Sequence, residues 1–185
     1  MKYCPACAGE IELSTPEGDH LPRHTCTLCG TIHYQNPKIV AGCLPFYEDK
    51  VLLCKRAIEP RKGYWTLPAG FMENNESTEE GALRETREEA NAEVTLLHLY
   101  TLTSIVHVNQ VQFLYLAEMQ NQNYSSTPES EEVRLFSEDE IPWDQLAFQT
   151  INNALKYYFS DRKKQHYPLR QLEMRSNKDK GTLLS

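Results

Sequence analysis

Two short apolar runs open the main part of the chain, Ile39-Val40-Ala41-Gly42-Cys43-Leu44-Pro45-Phe46 and Val51-Leu52-Leu53-Cys54, parted by Glu48-Asp49-Lys50. Short apolar runs either side of a polar turn predict a strand and its returning partner. Residues 63–70 predict a short strand running into a loop. The pattern becomes helical over 77–91, where Ser77 is a candidate N-cap and Glu80, three residues on, completes a capping box. Residues 94–102 and 111–117 read as strands, 121–130 as a polar loop holding Pro128, and 133–136 as another short strand. Over 145–159 Leu146, Phe148, Ile151, Leu155 and Tyr158 fall near one helical face. Strands with interspersed helices predict a layered α/β arrangement.

The first 34 residues follow a different logic. Cys4-Pro5-Ala6-Cys7 and Cys26-Thr27-Leu28-Cys29 are two C-x2-C pairs, a spacing that predicts a zinc ribbon. Each pair places two thiolates on one tight turn. Cys4, Cys7, Cys26 and Cys29 together satisfy a tetrahedral Zn2+, so the metal is expected to be structural. His24 lies close enough in sequence to compete as a ligand. Cys43 and Cys54 sit in apolar runs and are expected to be buried packing thiols. His33-Tyr34-Gln35-Asn36-Pro37 reads as a linker. The expected organisation is therefore a ribbon over 1–34, a catalytic-sized domain over 35–160 and a polar, basic tail over 161–185. That tail is expected to be loosely held or to lie against a partner subunit.

Composition narrows the function classes. The chain has 185 residues, with 19 Lys and Arg against 26 Asp and Glu, a formal charge of −7. No apolar run reaches the roughly 20 residues that span a bilayer, so no membrane partner is expected. The acidic balance argues against a general nucleic-acid binder. The opening Met1-Lys2-Tyr3-Cys4 carries no apolar leader, and metal-binding thiols suit a reducing compartment, so a cytoplasmic location is expected. The charge is uneven. Residues 70–93 carry −6, residues 118–144 carry −7, and residues 161–185 carry +4.

The first acidic segment carries chemistry. Glu85, Glu88 and Glu89 are spaced i, i+3 and i, i+4, which puts three carboxylates on one helical face. Like charges at that spacing repel, and a divalent cation removes the repulsion. Clustered oxygens favour Mg2+ or Mn2+. The loop after Gly70 can bring a backbone carbonyl to the same metal. Arg84 can hold Glu85 or Glu76 in place.

The whole segment resembles the Nudix box. It reads Gly70, Glu76, then Arg84-Glu85-Thr86-Arg87-Glu88-Glu89-Ala90-Asn91-Ala92. Thr86 stands where an aliphatic residue is usual, and Asn91 replaces a glycine at a helix C-cap, where Asn is the next-best residue. With the ribbon, Tyr34-Gln35-Asn36-Pro37-Lys38 and Trp65-Thr66-Leu67-Pro68-Ala69-Gly70, the chain is similar to plant chloroplast Nudix hydrolases that act on FAD and ADP-ribose. A bacterial cytoplasmic relative fits better, because no transit peptide is visible. Zinc-ribbon NADH pyrophosphatases carry a Ser-Gln-Pro-Trp-Pro-Phe-Pro stretch after the box, where this chain has Leu97-His98-Leu99-Tyr100-Thr101-Leu102.

The resemblance implies a Nudix α/β/α sandwich, with a mixed sheet between helices. It implies metal-dependent cleavage of the diphosphate of FAD or ADP-ribose, releasing AMP. Glu88 and Glu89 are the expected metal ligands, Glu85 either ligand or general base, and the Gly70 carbonyl a further contact. Some relatives of this type place the base on a distal loop, for which Glu129, Glu131 and Glu132 are the candidates here. Arg56, Arg61 and Lys62 are candidates for phosphates, and Tyr64, Phe71 and Phe148 for a planar base. Tyr34 joins them if the ribbon packs over the site. NADH or another dinucleotide, an RNA cap, and a non-enzymatic zinc-ribbon regulator are the alternatives. Homodimers are common among similar enzymes.

Overall fold

The computed structural model describes residues 1–176 and 180–184. It divides into two compact units, Met1–Pro37 and Lys38–Ser185. The first is a small antiparallel sheet of β1 (Ile11–Ser14), β2 (Arg23–Cys26) and β3 (Ile32–His33). Gly30 follows the second cysteine pair with a φ of 71°, a left-handed turn that glycine adopts without cost.

The second unit is built on β4 (Lys38–Tyr47) and β5 (Lys50–Arg56), joined by the expected tight turn. Two short strands follow, β6 (Trp65–Thr66) and β7 (Ala69–Phe71), and then helix α1 (Thr78–Ala90). Strands β8 (Val94–Ile105), β9 (Gln110–Met119) and β10 (Ser130–Phe136) precede helix α2 (Gln149–Arg162). The sheet order is β10-β5-β4-β9-β8, with β4 and β9 parallel and the neighbouring pairs antiparallel.

The sheet is mixed and covered on both sides, and the strand period of two shows how. Leu44, Val51, Leu53, Leu114 and Leu116 pack with Ile151, Leu155, Tyr158 and Phe159 of α2. Their neighbours Ala41, Cys43, Tyr115 and Ala117 pack with Ala82 of α1, and Leu52 and Cys54 with Ala90. Each strand thus feeds two cores. Cys43 and Cys54 are fully buried, as expected, and burial pushes the Cys43 thiol up to about 12.

Strand β4 splits one of its edges between two partners. Phe46 and Tyr47 pair with β5, whereas Val40, Ala41 and Gly42 pair with β7. At Gly42 a side chain would run into Ala69 and the Pro68 carbonyl, so glycine is what lets β7 lie there.

The expectation of a loose tail is corrected. Beyond α2, β11 (Arg170–Met174) joins the sheet parallel to β8, and β12 (Thr182–Leu184) pairs with β11. The anchor is a buried ion pair: Arg170 donates from both terminal nitrogens to Asp161 at 2.6 Å, and Tyr100 donates to the same carboxylate at 2.6 Å. Arg170 also lies over the Tyr157 ring, 4.5 Å from its centroid. A basic composition here marks one fixed arginine, which charge counting does not distinguish from a solvated tail. Two smaller corrections concern boundaries. The loop at 121–130 gives way to β10 at Ser130, and α2 begins at Gln149 because Trp143–Gln145 forms a separate short turn.

Candidate active site

Helix α1 starts as its sequence dictates. The Ser77 hydroxyl accepts from the Glu80 N–H, and the Glu80 carboxylate accepts from the Ser77 N–H. The helix turns Ala82, Glu85, Thr86, Glu89 and Ala90 inward. Thr86 is fully buried, and its hydroxyl donates to the Ala82 carbonyl at 2.8 Å, which lets a threonine replace an aliphatic residue. Asn91 closes the helix with a φ of 50°. Its side chain also donates to Ser125 at 2.8 Å and so ties the loop before β10 to the helix end.

The inward face carries two carboxylates. Glu85 is 8% exposed and Glu89 6%, whereas Glu88 is exposed. Arg84 is the hub of the cluster. It donates to Glu76 at 2.8 and 3.0 Å, to Oε1 of Glu85 at 2.7 Å, to Oε2 of Glu88 at 2.9 Å, and to the Phe71 carbonyl at 3.2 Å. Those bonds and the Glu73 N–H hold Glu76 down at about 2. Glu89 goes the other way. Burial pushes it up to about 8, against the Ala69 N–H that it accepts at 3.0 Å. Burial also raises Glu85, with Arg84 opposing. The negative charge of Glu129 adds to the upward push on both.

Gly70 makes this arrangement possible. A Cβ there would meet the Glu85 carboxylate, with Cδ only 2.5 Å away. The carboxylate is therefore laid against bare strand backbone. At Gly81 a Cβ would crowd Glu76 in the same way, at 2.9 Å.

Glu85, Glu89 and Gly70 open onto a cavity of about 720 Å3. Arg56, Arg61 and Glu129 line it beside them, and Phe71 and Phe148 are also in its wall. Arg56 is held by the Pro60 carbonyl at 2.7 Å and lies over the Phe148 ring, and its charge opposes the rise of Glu89. Glu129 sits in a turn in which the Thr127 hydroxyl accepts from the Glu129 and Ser130 N–H groups. The Ala57 N–H donates to the Glu129 carbonyl and fixes that turn to the end of β5. Part of the remaining wall comes from β8, β9 and β11, through Ile105, Gln110, Gln112 and Met174, and part from the loop at 58–60 and the start of α2.

The sequence candidates Glu131, Glu132 and Tyr64 of the second unit lie outside this wall. Glu131 and Glu132 are exposed and outside the cavity lining, with Glu131 turned to Lys62 at 3.9 Å. A bulge between Ser130 and Glu132 separates them from Glu129. Tyr64 also lies outside the lining, under Arg61. Tyr34 belongs to the first unit, exposed, with Arg23 over its ring at 5.2 Å. Met174, Gln112 and Ile105 carried no sequence signal for a site, because strand residues announce only their burial.

Two metal environments are distinguishable. In the first unit the four cysteine sulfurs all lie within 4.8 Å of one another, with Cys4–Cys29 at 3.8 Å and Cys7–Cys26 at 3.5 Å. A tetrahedron with Zn–S of about 2.3 Å has edges of about 3.8 Å. The cluster fits zinc, and His24 stands outside it in β2. Among the described residues no other group is gathered so tightly. The helix glutamates are spread around Arg84, whose single charge serves Glu76, Glu85 and Glu88. Two buried carboxylates, Glu85 and Glu89, one of them beside a glycine cradle, are a hard-oxygen donor set, which suits Mg2+ or Mn2+.

Comparison with known proteins agrees with this geometry. The profile described as the NUDIX domain matches residues 36–158, and the one described as Nudix N-terminal, a zinc ribbon, matches residues 2–35. A crystal structure of a NUDIX hydrolase from Nitrosomonas europaea is 51% identical and superposes with a TM-score of 0.89. The match covers 94% of this chain and 99% of that one. The NAD-capped RNA hydrolase NudC of Vibrio vulnificus is 26% identical over 77% of this chain and 53% of its own length. An ADP-ribose pyrophosphatase of Methanocaldococcus jannaschii is 39% identical, over 30% of this chain and 33% of its own. The chain thus spans about half the length, or less, of these two curated relatives. They lend the plant chloroplast likeness no support. Among the described residues, no helix is long and apolar enough to cross a membrane. With one profile covering more than half of the sequence and a second covering the cysteine pairs, the chain belongs to the Nudix family, as a NUDIX domain preceded by a Nudix zinc ribbon.

Proposed function

We propose that this protein hydrolyses the diphosphate of a nucleoside diphosphate derivative, with ADP-ribose and FAD as the first substrates to test, and releases AMP. The observation that carries the reading is the convergence of Glu85, Glu89, Glu129, Arg56 and Gly70 on one cavity. Glu85, Glu88, Glu89 and the Gly70 carbonyl would hold Mg2+ or Mn2+. Such ions neutralise phosphate charge and polarise the phosphorus–oxygen bonds.

The chain's own groups do the rest. Arg84 fixes Glu85 and Glu88, one oxygen of each, and leaves their other oxygens for ligation. Arg56 and Arg61 bind phosphate oxygens, and Arg56 is already oriented by Pro60 and Phe148. Glu129 is the candidate base in place of Glu131 and Glu132. It takes a proton from the attacking water as that oxygen bonds to phosphorus and the bridging bond breaks. Glu85 remains the alternative base, held at 2.7 Å by Arg84. The benzene rings of Phe71 and Phe148 supply apolar wall for a planar base.

A second reading, cleavage of NAD or of an NAD-type RNA cap, is favoured by the relatives named NAD-capped RNA hydrolase NudC. Against it stands the absence of the Ser-Gln-Pro-Trp-Pro-Phe-Pro stretch. A panel of ADP-ribose, FAD, NADH, diadenosine polyphosphates and NAD-capped RNA, each with Mg2+ and with Mn2+, separates the two. AMP from ADP-ribose or FAD as the fastest reaction supports the first reading. Fastest turnover of the capped RNA or NADH replaces it with the second.

A further inference from the structure

One residue of the cavity is chemically out of place. Gln112 is the third residue of β9, opposite Val40 of β4 and Thr103 of β8. The register extends this row to Phe71 of β7 on one side and Leu172 of β11 on the other. Side chains paired across a sheet share a face, so Gln112 lies in a row with Phe71, Val40, Thr103 and Leu172, mostly apolar, with Thr103 the other polar member. Two residues along the strands, Gln110, Ile105 and Met174 form a second row on the same face. Five of these residues, Val40, Phe71, Gln112, Ile105 and Met174, line the cavity with Gln110.

Gln112 is 6% exposed, and its Oε1 is buried without a hydrogen-bond partner. Buried polar groups are paired in nearly all folded proteins, and an unpaired one costs about 1–3 kcal/mol. The other described atoms of this kind belong to Thr25, His33 and Asn152, none of which lines the cavity. An apolar residue would fill this strand position at no such cost. An entrant that donates a hydrogen bond to the carboxamide would remove that cost.

The chemistry of the entrant follows from the neighbours. An orphan acceptor needs an N–H or O–H donor. Phe71, Ile105 and Met174 around it suit the flat, apolar faces of an aromatic ring. Gly70 and Phe71 both line the cavity, so a diphosphate held at Gly70 brings its nucleoside within reach of this wall. We propose that Gln112 is a specificity-determining residue that reads the base edge, its carboxamide turning into the cavity so that Oε1 accepts a hydrogen bond from the exocyclic amine of adenine. Carboxamides recognise adenine through that amine and the adjacent ring nitrogen. This inference rests on the diphosphatase reading for its orientation.

The test compares ADP-ribose with its analogue carrying purine in place of adenine, and AMP with purine riboside monophosphate. Hydrolysis is followed by chromatography and nucleotide binding by calorimetry, for the wild type, Gln112→Leu and Gln112→Met. The wild type is expected to prefer the amine-bearing partner of each pair about tenfold, as one lost hydrogen bond in a buried site predicts. Both variants are expected to reduce that ratio to near one, while thermal melting shows them folded and at least as stable as the wild type. Two variants of different shape guard against one misfolding. A ratio that survives in either folded variant overturns the proposal, as does a wild type that binds AMP and its analogue equally or binds neither at millimolar concentration. If the wild type cleaves no diphosphate yet binds AMP with the expected preference, the hydrolase reading fails and the Gln112 assignment stands.

Discussion

Gly70→Ala separates the architecture of the site from the stability of the fold. The glycine's φ lies outside the left-handed region, so the backbone accepts alanine there. The new methyl would sit 2.5 Å from Cδ of Glu85, whereas ordinary contact begins at 3.4 Å. The carboxylate must retreat by about 1 Å. It is the end of a flexible side chain, so the retreat is cheap in stability. It is expensive in function, because Glu85 is held at 2.7 Å by Arg84 and shares its cavity wall with Glu89. A displacement of about 1 Å at a catalytic group costs about 100-fold, or about 2.7 kcal/mol of transition-state stabilisation. Loss of the glycine's chain entropy offsets part of the strain, by about 0.4–1 kcal/mol. We therefore expect kcat/KM for ADP-ribose with Mn2+ to fall about 100-fold, with the melting free energy changed by less than about 1 kcal/mol. Wild-type activity in the variant would refute the placement of Glu85. A stability loss of several kcal/mol would show that the glycine serves the sheet instead.

The remaining predictions concern charge, zinc and the tail. Glu89 has its folded pKa near 8, above the usual carboxylate value, so the folded state holds an extra proton between about 4.5 and 8. Stability of the metal-free protein should therefore fall as pH rises through that window and level off above it, a change of order a few kcal/mol. Calorimetric melts at pH 5, 7 and 9 check this, and both saturating Mn2+ and Glu89→Gln should flatten the profile. Zinc should be present at one ion per chain by elemental analysis, and Cys26→Ser should lower that occupancy and broaden the ribbon's amide NMR signals. Arg170→Met strands the buried Asp161, which should cost about 3–5 kcal/mol in urea unfolding. Asp161→Asn with Arg170→Met together should recover part of that loss.

Much of this was legible because local rules and tertiary structure agree. The Ser77–Glu80 capping box, the two apolar runs before Glu59 and the cysteine pairs each specify their own geometry within a few residues. Glu85 and Glu89 are legible for the same reason, since i, i+4 spacing defines a face without reference to the sheet, whereas Glu88 at i+3 lies at the exposed margin of that face. The cavity floor was not legible. Gln112, Ile105 and Met174 come together only through the register of β9, β8 and β11, and β11 itself follows a segment whose composition reads as a tail. Its pairing depends on Asp161 and Tyr100, 9 and 70 residues away from Arg170. The three loop candidates for the base are told apart for a related reason. Glu129, Glu131 and Glu132 look alike in sequence, and only the fold shows that Glu129 lines the cavity and the other two do not.

Under the proposed function, carboxylates of α1 carry metal-dependent cleavage of a diphosphate. The most direct measurement is chromatography of the products from ADP-ribose and from FAD with Mn2+, for the wild type and for the double variant Glu88→Gln with Glu89→Gln. The account predicts AMP with the second phosphate-bearing fragment from the wild type, none after chelation, and a loss of at least 100-fold in the folded double variant. AMP release at the wild-type rate by that variant would contradict it.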